Sequence, residues 1–375
     1  MADLGTLVRR IEAGTPTGRE REVDGLRAFA ILGVVFGHWI VTAVYAGTAH
    51  WQTDSPLRHL PEYAPVTWLL QPLAVFFLVG GYVAAQSYAR ADGYRSWARH
   101  RMIRLGRPIA VLLAVWTALG AVLYDFVGGE SLYTLGKLVL SPLWFVLVFA
   151  GLTALTPLVV RLGRAGPVLA IAAVAVVDLT RFAADGPAAL GWVNVLAGWL
   201  VPYSLGALWA GPDRARIERG GAALLAGGAL ACAGLMLWCG YPVSMVGIPG
   251  EAISNLNPPT LAAVAFGIAQ CGLALLLRAP LRRALTRHPG VWAAVAMVNL
   301  SAMTVFLWHQ SAMLAVTAGG IGAGGVVGLG TVPDGPLWVL ARIGWMPVFA
   351  AVLLALWGLF HRWETGARRA RPARS

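Results

Sequence analysis

Between residues 26 and 360 the sequence returns repeatedly to runs of about twenty mostly apolar residues, each closed off by charge, Gly or Pro. A bilayer core about 30 Å thick is crossed by about 20 helical residues. Ten runs of that kind occur, at 26–46, 66–87, 108–126, 142–160, 167–183, 192–210, 220–239, 258–277, 291–316 and 336–360. The pattern predicts an all-α integral membrane protein with about ten transmembrane helices. Composition agrees, because 58% of the chain is hydrophobic and 12% charged, where a soluble domain carries about 25% charged residues.

Positive charge tests the count independently, since Lys and Arg collect on the cytoplasmic side of short loops. With the N-terminus inside, 25 of the 29 basic residues fall on the inner side, and only Arg58, Lys137, Arg181 and Arg342 fall outside. Both termini are therefore expected in the cytoplasm, as polar tails at 1–23 and 362–375 of one transmembrane domain covering 1–375. The first twenty-odd residues have no apolar stretch before a cleavage site, so no signal peptide is expected. The net charge of +12 comes from arginines that punctuate apolar runs without forming a basic face, which argues against nucleic acid as a partner. Cys232, Cys239 and Cys271 form neither a disulfide framework nor a metal-ligand spacing. All basic residues but Lys137 are Arg, beside abundant Ala and Gly; this is the usage of a high-GC bacterial genome and points to a bacterial cytoplasmic membrane.

An ionisable side chain deep in a bilayer costs about 3 kcal/mol or more, so each needs a partner or a purpose. His38, Asp178 and His309 lie deep in the expected spans, with Asp125, Arg181 and Arg342 nearer their outer ends. Arg27 and His38 are eleven residues apart, which leaves them within about 20° of one helix face and about 16 Å apart along the axis. Asp24 lies one turn before Arg27, so the three side chains can look into one groove. The bland reading pairs Arg27 with Asp24 as a topogenic anchor and leaves His38 as a packing residue. Arg101, Arg104 and Arg107 repeat every three residues before Pro108. Such a stripe suits phosphate, which guanidinium groups bind with two parallel hydrogen bonds, and topogenic charge explains it equally.

In order along the chain stand D-x-L-R before an apolar helix ending in His (Asp24, Leu26, Arg27, His38), FF-x-x-x-G-Y (Phe76, Phe77, Gly81, Tyr82), R-x-x-R with a nearby Pro (Arg101, Arg104, Pro108), P-L-W-F (Pro142 to Phe145) and a late F-L-W-H (Phe306 to His309). Each is weak alone. Together they cover nearly the whole chain, which resembles the acyltransferase-3 family of membrane enzymes. The resemblance implies transfer of an acyl group, commonly acetyl, from cytoplasmic acyl-CoA to a hydroxyl of a glycan, a lipid-linked sugar or a secondary metabolite. It places the catalytic histidine at His38 and the CoA-phosphate ligands at Arg27, Arg101 and Arg104. Two departures are expected to matter: Gly80 replaces a serine that many relatives carry, and the extra hydrolase-like domain of many relatives is missing.

On this reading the membrane lipid, acyl-CoA and a sugar or small-molecule acceptor are the partners, and no metal takes part. His38 acts as general base or carries the acyl group briefly. Asp178 is the carboxylate expected to orient its ring, unless it pairs with Arg181. His309 lines the acceptor pocket or makes a helix-to-helix hydrogen bond. Tyr82 and Trp144 stack on a sugar or on the donor's arm, or are ordinary interfacial aromatics. The competing class is a proton-coupled secondary transporter, which the absence of two matched broken helices in the sequence disfavours.

Overall fold

A computed structural model describes residues 4–365, so the expected tail at 362–375 lies outside the described residues from 366 onward. Helices of ten residues or more are numbered here: α1 Leu4–Ala13, α2 Arg21–Val41, α3 Leu73–Ala89, α4 Tyr94–Leu140, α5 Leu143–Ala154, α6 Ala165–Asp178, α7 Gly191–Ala210, α8 Gly221–Trp238, α9 Leu261–Arg287, α10 Pro289–Leu300, α11 Ala302–Gly322 and α12 Pro336–Thr365. The sheet content is one hairpin, β1 Ala43–Ala46 antiparallel to β2 Trp51–Asp54. The dominance of helix follows from the solvent, because in lipid each backbone N–H and C=O must be satisfied within its own segment.

Among the described residues eight helical segments are long and apolar enough to cross a membrane, or nine if the bent pair α10 and α11 counts as one crossing. The expected number was ten. The difference lies in the continuous stretch Tyr94–Ala154, 61 residues long, which contains the expected run 108–126 and the start of that at 142–160. It is interrupted at Gly128, whose φ of 76° and ψ of 160° are not helical. The expected polar tail at 1–23 is in part the helix α1, with Leu7, Val8 and Ile11 on one face. The first expected run, 26–46, is a helix that starts five residues earlier and stops at Val41, because Ala43–Ala46 turn into the hairpin. The ninth, 291–316, is two helices bent by 80°.

The chain resolves into two compact units. One holds the chain up to Gly37, Leu57–Arg99 and Phe145–Ala296; the other holds His38–Pro56, His100–Trp144 and Met297 onward. In the first, α3 packs along α7, and α8 along α9. The α3 and α7 backbones meet at small residues: a Cβ on Gly81 would overlap the carbonyl of Tyr203, and one on Gly206 the carbonyl of Leu78. Close approach through small residues is how helices associate in lipid, where no hydrophobic force drives them together. Around this crossing Phe76 lies 4.9 Å from Phe145 and Phe77 stacks on Trp199 at 5.0 Å, ring centroid to ring centroid. In the second unit α11 packs against α12, with Trp308 stacked on Phe360 at 4.0 Å.

Candidate active site

His38 occupies the last turn of α2, and two features of the second unit hold that turn. The guanidinium of Arg342 donates to the carbonyls of Trp39 (2.6 Å), Thr42 (2.6 Å) and Gly328 (2.8 Å) while lying over the rings of Trp338 and Phe349. A cation there complements the negative end of the helix dipole and satisfies carbonyls that a helix end leaves without partners. The Trp39 indole donates to the carbonyl of His309 at 3.0 Å, which ties α11 to the same turn. Arg342, which the sequence places near the outer end of its span, is 1% exposed.

The second histidine is brought in by the break at Ser301. There the Glu364 carboxylate accepts from the N–H groups of Met303 (3.1 Å) and Thr304 (2.9 Å) and from the Thr304 hydroxyl (2.7 Å), capping the start of α11. That helix carries His309 and Gln310 eight and nine residues in. His309 is fully buried, and its ring centroid lies 5.1 Å from that of His38, with the planes tilted by 50°. Gln310 Nε2 donates to His38 Nδ1 at 3.1 Å. His309 Nδ1 lies 2.5 Å from the carbonyl of Phe306. His309 Nε2 and Gln310 Oε1 are buried without a protein partner. His309 and Gln310 thus put two unsatisfied buried polar atoms on one turn of α11, beside the ring of His38.

The remaining sequence candidates fall elsewhere. Asp178 is buried, and its carboxylate accepts from Asn194 (2.9 Å), the Tyr241 hydroxyl (3.0 Å) and the Leu261 N–H (2.7 Å). None of these donors is a histidine, so the ring partner expected of Asp178 is supplied to His38 by Gln310 instead. Nor does Asp178 form an ion pair with Arg181, whose guanidinium lies over the Phe182 ring. Burial and the Asp178 carboxylate push the Tyr241 phenol well above its ordinary range, so it stays a donor. Asp24 is buried and receives both Nε and Nη2 of Arg19. Arg27 stands eleven residues before His38 on the unbroken helix α2. Arg101 and Arg104 both lie on α4, which begins early enough to make the stripe helical, and Arg104 is exposed.

Tyr82 is not open for stacking on a ligand. Its ring lies 4.4 Å from Trp209, and its hydroxyl donates to Glu20 while accepting from Gln86 (2.7 Å) and Arg214 (3.0 Å). Trp144 is exposed. At Gly80 a Cβ would overlap the Phe149 ring; the space that a serine side chain would need there is taken by an aromatic edge. A groove of the first unit, about 670 Å³, is lined by apolar side chains such as Leu26, Phe29, Trp68 and Phe266, with Gln270 a polar exception. Such a lining suits hydrocarbon and offers nothing to a phosphate.

A family model described as an acyltransferase domain matches residues 20–362, which takes in every motif residue quoted above. No curated protein and no solved structure matches the chain.

Proposed function

The chain belongs to the acyltransferase-3 family, and from that premise we propose that this membrane acyltransferase moves an acetyl or similar acyl group from cytoplasmic acyl-CoA to an acceptor hydroxyl in the paired-histidine region. The acceptor class is a glycan, a lipid-linked sugar or a secondary metabolite, and the setting is a bacterial cytoplasmic membrane with both termini inside. The observation that carries the reading is the 5.1 Å separation of the His38 and His309 rings beside unsatisfied buried polar atoms. Two imidazoles at that spacing, one with an unpaired ring nitrogen, can accept a hydroxyl proton and return one to a leaving group.

Donor binding is assigned to Arg27, Arg101 and Arg104. Guanidinium groups keep their charge at all working pH values and hold phosphate oxygens bidentately. Arg27 precedes His38 by about 16 Å of helix, a distance comparable to the pantetheine arm of CoA. The nucleotide can therefore rest on arginines while the thioester reaches the imidazoles.

The test is thiol release by the purified full-length chain from labelled acetyl-CoA, supplied with a lipid and sugar extract of the producing cells. His38→Ala is expected to abolish release while the protein stays monodisperse. Arg104→Ala is expected to raise KM for acetyl-CoA about tenfold and leave kcat within a few-fold. Unchanged thiol release in His38→Ala, or substrate uptake into vesicles with no thioester cleavage, would reject the proposal and favour a transporter.

A further inference from the structure

The hydrogen bonds around the two imidazoles fix opposite tautomers. A carbonyl oxygen can only accept, so the contact of His309 Nδ1 with Phe306 requires the proton on Nδ1 and leaves the Nε2 lone pair free. Gln310 donates to His38 through its amide NH₂, so His38 Nδ1 is the acceptor and the proton of that neutral ring sits on Nε2. His309 Nε2 is then a buried base with no protein partner, and its ring lies 5.1 Å from that of His38, centroid to centroid. A buried acceptor left unsatisfied is costly, and a donor arriving with the substrate would satisfy it.

We infer that His309 is a second catalytic residue and the general base of the reaction, with His38 Nε2–H hydrogen-bonding the leaving sulfur. This rests on the acyl-transfer reading above and divides its labour between the two rings. The acceptor's O–H donates to His309 Nε2. As its oxygen attacks the thioester carbonyl, a C–O bond forms and the hydroxyl proton passes to His309. The C–S bond then breaks, its sulfur held by a hydrogen bond from His38 Nε2–H, and the imidazolium of His309 gives the proton it took to the thiolate of CoA, so both imidazoles end in their starting neutral tautomers. The sum is ester plus free CoA thiol from hydroxyl plus thioester, with no other reactant. Gln310 holds the His38 tautomer and is a positioning residue. The indole of Trp39, donating to the His309 carbonyl, fixes the spacing of the two rings.

The test compares two nucleophiles that differ in their need for a base. Glycerol must lose its proton as it attacks, whereas neutral hydroxylamine attacks a thioester without prior deprotonation. His309→Asn keeps an amide donor for the Phe306 carbonyl and removes the Nε2 lone pair; His309→Gln is the second variant. Full-length protein in detergent is given acetyl-CoA with glycerol or with hydroxylamine, and thiol release is followed. Folding is checked by thermal unfolding with and without acetyl-CoA, and the variant that folds is used. The expected result is loss of glycerol acylation by a hundredfold or more, with hydroxylamine turnover reduced by no more than a few-fold. Equal loss with both nucleophiles, or retention of both, overturns the assignment. If wild type and His38→Ala release thiol equally, the acyl-transfer reading itself fails, a result separable from failure of the His309 role alone.

Discussion

Arg342 Nε donates to the carbonyl of Trp39 at 2.6 Å, at the residue next to His38. The same guanidinium reaches Thr42 and Gly328, so one planar fork joins the end of α2 to a glycine loop and to α12. A lysine ammonium is a compact point charge on a flexible stem and cannot reproduce that fork. Arg342→Lys is expected to lower stability by about 2–3 kcal/mol, the scale of one or two lost charge-assisted hydrogen bonds. Acyl transfer should fall at least tenfold, because the His38 turn is released. Thermal unfolding in detergent and turnover per folded molecule check both, and wild-type values for both would show the fork to be dispensable.

Glu364 occupies the start of α11 as an anion at a helix N-terminus, accepting two backbone N–H groups and a hydroxyl. A charge there interacts favourably with the dipole and satisfies otherwise orphaned donors. Glu364→Gln keeps the shape and one acceptor oxygen but loses the charge. It should cost about 1 kcal/mol, a typical cap value. Glu364→Ala should cost more and loosen the helix bearing His309, and hydrogen exchange at Met303 and Thr304 reads the change directly. Protection unchanged in Glu364→Ala would mean that the cap does not hold the bend at Ser301.

Span-length apolar runs were legible because lipid imposes one rule on every crossing, and α6, α7, α8 and α9 fall close to the runs expected for them. His38 stood out as a candidate for the same reason, since an imidazole in such a run is costly and conspicuous. Gln310 was not, because a neutral amide beside a histidine carries no charge signal until a residue 272 positions away is seen to meet it. The role of Arg342 was not legible because its partners are backbone carbonyls, which every residue possesses and no sequence pattern marks. The break at Ser301 depends on Glu364, which is 60 positions from Thr304. The partners of Asp178 were not legible because depth alone cannot say which donors meet a carboxylate.

Gly81 and Gly206 face each other's backbones across α3 and α7. A methyl group added at either meets a carbonyl oxygen, and the helices must separate or shift to admit it. Gly206→Ala is therefore expected to cost about 1–3 kcal/mol, the usual penalty of overpacking. Gly106→Ala, where nothing lies within 4 Å of the added carbon, is the control and should be neutral. Comparing the unfolding temperatures of the two variants checks the contrast, and equal effects would place the constraint on helix propensity instead of on the crossing.

Asp178 has donors from α7, from the segment before α9 and from the first residue of α9 itself. Its carboxylate is thereby a structural knot that joins three parts of the first unit. Asp178→Asn introduces an NH₂ facing groups that donate, so either the Asn194 bond or the Tyr241 and Leu261 bonds are disrupted, at about 1–3 kcal/mol. Turnover per folded molecule should stay near wild type, since the His38 ring takes its hydrogen bond from Gln310. Tyr241→Phe should reproduce a fraction of the destabilisation, again without a kinetic effect. Measuring unfolding temperature beside thiol release separates the two roles: a thousandfold drop in turnover at unchanged stability would return Asp178 to the catalytic machinery and make its buried network a relay.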